Sequence, residues 1–83
     1  MNITIKYRAQ LAALTKIASE SIDAAIVKDV ITHIKKQFGI EAEKLAKTML
    51  IVVNGQSINL MKSFKTALKD GDDVSFLPIC GGG

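Results

Sequence analysis

At 83 residues the chain is sized for one domain, and such a small domain buries roughly 60% of the surface its unfolded chain exposes, so it folds with little margin. The net charge of +3 is spread along the sequence, with Lys35-Lys36 as the densest pair, which reads as a solvated surface and argues against nucleic-acid binding. Cys80 is the only cysteine and His33 has no Cys or His neighbour at zinc-ligand spacing, so neither an intrachain disulfide nor a metal site is expected.

Ile3, Ile5 and Tyr7 alternate with Thr4, Lys6 and Arg8, the period of a half-buried strand. No basic stretch leads into an apolar run at this end, so no signal peptide is expected. Leu11 to Thr15 reads equally as a helical turn or a loop. Glu20 to Ala25, with Ile22 between polar neighbours, reads as a second strand at an edge of the sheet. Val27, Val30, Ile31, Ile34 and Phe38 then fall at helical spacing, and Lys28, Asp29, Thr32, Lys35 and Lys36 take the other side. Gly39 supplies a C-terminal cap, and the two lysines of the last turn suit the negative end of the helix dipole. Glu41 to Lys47 is a candidate short second helix.

Leu50-Ile51-Val52-Val53 is a compact β-branched run, followed by Asn54-Gly55 and then Ser57-Ile58-Asn59-Leu60. Asn-Gly between two such runs predicts a hairpin, because both turn positions need positive φ. Lys69-Asp70-Gly71-Asp72 is a further turn, and Val74 to Ile79 a last alternating strand. With no Trp, one Tyr and three Phe, the core must be aliphatic. The order is strand, strand, helix, strand, strand, strand. That predicts an α+β fold with one main helix across a mixed sheet of four to five strands. It is the order of a β-grasp, ubiquitin-like domain, here residues 1–78, with residues 79–83 as a flexible tail. No window approaches the ~20 apolar residues of a membrane span, so a cytoplasmic protein is expected.

The sequence closes with Asp70-Gly71-Asp72-Asp73-Val74-Ser75-Phe76-Leu77-Pro78-Ile79-Cys80-Gly81-Gly82-Gly83. This block resembles the C-terminus of the MoaD family, the small subunits of molybdopterin synthase, which typically reads D-G-D-E-V-x-F-x-P-P-V-x-G-G. Arg8-Ala9-Gln10-Leu11-Ala12-Ala13-Leu14 is similar to that family's F-A-Q-x-x-E-L, and Val53-Asn54-Gly55 to its central hairpin. Ile79 replaces the second proline, Cys80 a valine and Gly81 a small residue, while Arg8 stands where an aromatic is common. The thiamine-pathway carrier ThiS and the Urm1-type modifier are relatives of the same kind.

The resemblance implies a sulfur carrier and not an enzyme: a protein co-substrate that binds no cofactor. An E1-like enzyme would use ATP to adenylate the Gly83 carboxylate, and a sulfur-donor protein would replace AMP, leaving a thiocarboxylate. The sulfur would go to a molybdopterin precursor, with this chain as small subunit beside a large subunit in a heterotetramer. Gly82 and Gly83 are the reacting end, and Leu77, Ile79, Cys80 and Gly81 the expected partner contacts. Glycine suits the role because residues without Cβ thread a narrow channel and take φ of either sign. The alternatives are a ubiquitin-like modifier, a carrier for the tRNA or thiamine pathways, or a plain interaction domain.

Other residues read more simply. Cys80 has no neighbouring cation to depress its thiol pKa and is taken as a spacer. His33 is expected to face solvent, Leu77 to lie exposed opposite Val74 and Phe76, and Asp70 to Asp73 to be a polar turn and not a calcium loop.

Overall fold

β1 (Asn2–Lys6) shows the expected alternation, with Ile3 and Ile5 buried and Thr4 and Lys6 half-exposed. The computed structural model describes residues 1–79. After β1 the chain forms α1 (Ala9–Thr15), β2 (Ser19–Asp23), α2 (Val27–Phe38), α3 (Ile40–Thr48), β3 (Leu50–Val53), β4 (Gln56–Ser57) and β5 (Asp73–Leu77). Single 3-10 turns at Ile58–Leu60 and Ser63–Lys65 bridge β4 to β5.

The strands form one sheet in the order β2-β1-β5-β3-β4. β1 and β5 pair in parallel at its centre, and the other neighbours are antiparallel. Two strands from opposite ends of the sequence thus lie side by side, a pairing that local periodicity could not fix. Ile3, Ile5, Ile51, Val53, Val74 and Phe76 send their side chains to one face, where Val27, Val30, Ile31 and Ile34 of α2 cover them. All are buried, and Phe76, at 0% exposure, is the largest of the fully buried side chains. The sheet and its covering helix are the β-grasp architecture that the order of elements predicted.

α2 follows its sequence signals closely. The Asp29 carboxylate accepts hydrogen bonds from the N–H groups of Ala25 (2.9 Å) and Ile26 (3.1 Å), holding the entry to the helix. Gly39 ends it at φ +98°, its N–H donating to the Lys35 carbonyl at 3.0 Å. The next residue begins α3, so the candidate helix over Glu41 to Lys47 is real and slightly longer. Leu11 to Thr15, left open by the sequence, is helical from Ala9.

Three boundaries differ from expectation. β2 covers Ser19–Asp23, not Glu20 to Ala25, because Ala24 turns inward, buried, with its N–H on the Met1 carbonyl at 2.9 Å. The hairpin at Asn54 (φ 52°) and Gly55 (φ 86°) forms as predicted, but the return strand stops at Ser57. There the Ser57 hydroxyl accepts from the Asn59 N–H at 3.2 Å and caps a 3-10 turn, with Ile58 buried beneath it. The last strand spans Asp73–Leu77, so Pro78 and Ile79 lie beyond its hydrogen-bonded ladder.

Candidate functional site at the end of the central strand

The expected chemistry belongs to the segment that leaves β5. Gly83, Gly82, Gly81 and Cys80 lie outside the described residues. What the structure describes is the base from which they depart: Leu77, Pro78 and Ile79. That base is held on both sides, since β5 pairs with β1 from Asp73 to Ser75 and with β3 from Val74 to Leu77.

The turn feeding β5 is anchored as firmly. Gly71, at φ +87°, donates its N–H to the Asn2 carbonyl at 2.8 Å, and the Asn2 N–H donates to the Asp70 carboxylate at 2.7 Å. The Asn54 side chain ties the hairpin to this turn: its Nδ2 donates to Asp72 Oδ1 (2.9 Å) and its Oδ1 accepts from the Asp73 N–H (3.0 Å). The Asn54 amide, followed by the N–H of Lys69, holds the Asp72 carboxyl below the usual carboxylate range. Asp70 to Asp73 is therefore a polar structural turn, as expected.

Leu77 does not match its expected exposure: it is half-buried. Alternation does place it on the face opposite Val74 and Phe76, but directly across from Leu50 of β3, and cross-strand neighbours shield each other. Val52, across from Ser75, shares that face and is also half-buried. Leu50, Val52 and Leu77 thus form an apolar patch on the uncovered side of the sheet, beside the point where the chain leaves β5. Leu50 and Val52 were missed from the sequence. The signal was present, because a run of four apolar residues in a strand leaves alternate ones without a core to face.

Ile79 is 66% exposed. It stands between two depressions on the helix side. One, of about 320 Å³, is bounded by Ala9, Gln10, Leu45, Met49 and Pro78. The other, of about 250 Å³, is lined by Met49, Ile51, Ile58 and Phe64.

A second polar cluster was not foreseen. The buried Tyr7 donates its hydroxyl to Glu20 Oε2 at 2.6 Å, and His33 Nε2 lies 3.0 Å from the same oxygen. His33 is therefore half-buried against β2 and not turned to solvent, because Glu20 shares the helix-facing side of the sheet with Ile5. Burial, reinforced by the Glu20 hydrogen bond and charge, pushes the Tyr7 hydroxyl well above its ordinary pKa. Its ring also packs edge-on to Phe38 (5.8 Å) and parallel to Phe76 (6.3 Å), so the cluster joins β1, β2 and α2. The pieces are separated by 13 residues each way, which is why no local pattern announced them.

Among the described residues no group of three or more His, Cys, Asp or Glu could hold a metal ion, and no helix is long and apolar enough to cross a membrane.

The architecture is that of small ubiquitin-like proteins with a mixed β-grasp sheet. The sequence matches the model of the ThiS family over residues 5–83, and the chain belongs to that family. Solved structures agree on the fold. The small archaeal modifier protein SAMP1 of Methanosarcina acetivorans superposes with a TM-score of 0.87 at 20% identity, covering 99% of this chain and 96% of that one. A Pyrococcus furiosus protein assigned as molybdopterin converting factor subunit 1 gives 0.72 at 28% identity, covering 94% and 97%. A complex of subunits 1 and 2 of the molybdopterin-converting factor of Helicobacter pylori gives 0.72 at 23%, covering all of both chains. No curated protein matches the sequence at a significant level. The fold is thus that of ThiS/MoaD/Urm1-type sulfur carriers, whose members are small protein carriers or modifiers.

Proposed function

We propose that this chain is a sulfur carrier whose Gly83 carboxylate is adenylated by an E1-like enzyme and converted to a thiocarboxylate, and that it serves as the small subunit of a molybdopterin synthase. The observation that carries the reading is the family match, which runs through the diglycine Gly82-Gly83 to the last residue. The residue pattern Asp70-Gly71-Asp72-Asp73-Val74-Ser75-Phe76-Leu77-Pro78 supports the molybdopterin branch, as does the 28% identity to the Pyrococcus furiosus protein.

In this reading residues 1–78 are the docking body and residues 79–83 the reacting tail. The carboxylate attacks the α-phosphate of ATP and releases pyrophosphate; sulfur handed over by a donor protein at the sulfide level then attacks the acyl carbon, forming the C–S bond as the C–O bond to AMP breaks. The protein supplies no general base and no metal of its own. Its contribution is delivery, and the large subunit, the activating enzyme and the sulfur donor supply the catalysis, all in the cytoplasm. The patch of Leu50, Val52 and Leu77 supplies binding energy against the entropy of ordering the tail, on the order of 1–2 kcal/mol per residue.

Deleting Gly83 tests the proposal. It removes no side chain, so the melting temperature should stay put. The reacting carboxylate, however, moves back by up to ~3.5 Å, and a misplacement of ~1 Å costs about a hundredfold in a positioned reaction. ATP-dependent adenylation followed by the mass shift of oxygen replaced by sulfur is the readout. Normal thiocarboxylate formation on the shortened chain would defeat the proposal, and a ladder of adducts on other proteins would favour the modifier reading.

A further inference from the structure

The helix side of the molecule carries a further groove, lined by none of Leu77, Pro78 and Ile79. It has a volume of about 460 Å³, larger than either depression beside Ile79, and lies where α2, α3 and the 3-10 turn at Ser63–Lys65 meet. Its floor is apolar, made by the buried Ile31 and the half-buried Phe64. Its rim carries three ammonium groups, on Lys28, Lys47 and Lys65, against one carboxylate, Glu43.

That carboxylate is already engaged, 3.7 Å from Lys47 one helical turn away. Lys28 and Lys65 make no ion pair among the described residues. Lys28 also sits in the first turn of α2, where the helix dipole disfavours a cation. An anion arriving beside it would be favoured by the ammonium group, the helix entry itself being held by the Asp29 carboxylate. Phe64 and Lys47 also line the depression beside Ile79, so the groove runs on toward the base of the tail.

We infer that this groove docks an acidic, apolar-anchored segment of a partner protein, with an apolar side chain on Ile31 and Phe64 and flanking carboxylates on Lys28 and Lys65. Charge complementarity selects the occupant. A purely anionic polymer would satisfy the rim but leave the floor wet, and a purely apolar segment would leave the ammonium groups unmatched. The surface is distinct from the Leu50, Val52 and Leu77 patch, so a protein engaged through that patch keeps this groove accessible.

The test uses the full chain, labelled with nitrogen-15, and a short synthetic peptide with a central leucine pair flanked by glutamates. No activating enzyme is involved, so the result is independent of the carrier proposal. Saturable amide shifts are expected at Ile31, Thr32, Phe64 and Lys65, weakening as salt is raised. Lys28→Glu and Lys65→Glu should each reduce affinity about fivefold, the upper range for an exposed charge pair. Both keep the fold, Lys28→Glu because an acid suits the first turn of a helix better. A peptide with lysines in place of the glutamates should not bind. Absence of saturable shifts would overturn the inference, as would shifts confined to Leu50, Val52 and Leu77. Equal shifts from a thymidine oligonucleotide would also overturn it.

Discussion

Leu77→Asp separates the stability of the domain from its docking. Fully burying a leucine is worth about 1.5–3 kcal/mol, and Leu77 is half-buried against Leu50, so the lost burial is worth about 1 kcal/mol. Aspartate is a poor strand residue, which adds up to ~1 kcal/mol. The total of about 2 kcal/mol lies below the 4–12 kcal/mol expected for a domain of this length at roughly 0.05–0.15 kcal/mol per residue. The variant should therefore stay folded, with its melting temperature lowered by roughly 10 °C at about 4–8 °C per kcal/mol. Docking should suffer more. A charge at the centre of an apolar contact costs about 2 kcal/mol or above, on the order of thirtyfold in affinity. Circular dichroism reads the first effect, and the KM for the carrier in ATP–pyrophosphate exchange by the activating enzyme reads the second. Ile79→Asp is the control, since an exposed side chain beyond the strand should lower affinity without moving the melting temperature. An unchanged KM for folded Leu77→Asp would refute the assignment of the open sheet face as a docking surface.

Tyr7→Phe should cost about 1.5–3 kcal/mol, the worth of a hydrogen bond to a charged group, measured by urea unfolding. Because the folded Tyr7 pKa is raised above the ordinary 10.0, the folded state holds its proton longer than the unfolded chain, and the contribution of this group is lost as pH rises above that value. The wild type should show that alkaline loss and Tyr7→Phe should lack it; equal slopes would remove Tyr7 as the cause. Asn54→Ala should cost more than Asn54→Gly by about 1 kcal/mol, since only alanine is strained at φ 52° while both lose the bonds to Asp72 and Asp73. Phe76→Ala should remove about 3–5 kcal/mol, a large share of the domain's stability, read as a lowered urea midpoint.

Sequence legibility followed the range of the forces involved. α2 was readable because Val27, Val30, Ile31 and Ile34 repeat at helical spacing within one segment and Gly39 closes it. The Asn54-Gly55 turn was readable because its positive φ values select those residues. α1 was ambiguous because seven residues offer only Leu11 and Thr15 to the interior. The short return strand was misread because Ser57 and Ile58 satisfy an alternating pattern and a capped 3-10 turn equally well, and the choice is made by burial of Ile58 under the sheet edge. The Tyr7, Glu20 and His33 cluster and the open-face patch depend on strand register, which no local pattern encodes. The proposed role of the diglycine rests on the family resemblance of the C-terminal block; the apolar patch of Leu50, Val52 and Leu77 emerged only with the pairing of β5.

That pairing gives the proposed carrier role its mechanical logic. A tail drawn into a partner's channel pulls on the strand to which it is attached. An edge strand resists such a pull with one ladder of hydrogen bonds and peels from its end. β5 is flanked by β1 and β3, and its buried Val74 and Phe76 lie beneath α2. Its upstream end is tied to Asn2 and Asn54 through the turn at Asp70 to Asp73. A load applied at Ile79 is thus shared among three strands and the core before any residue moves. In the proposed role, docking energy from Leu50, Val52 and Leu77 would be available to order the tail, because a strand paired on both sides resists local unfolding.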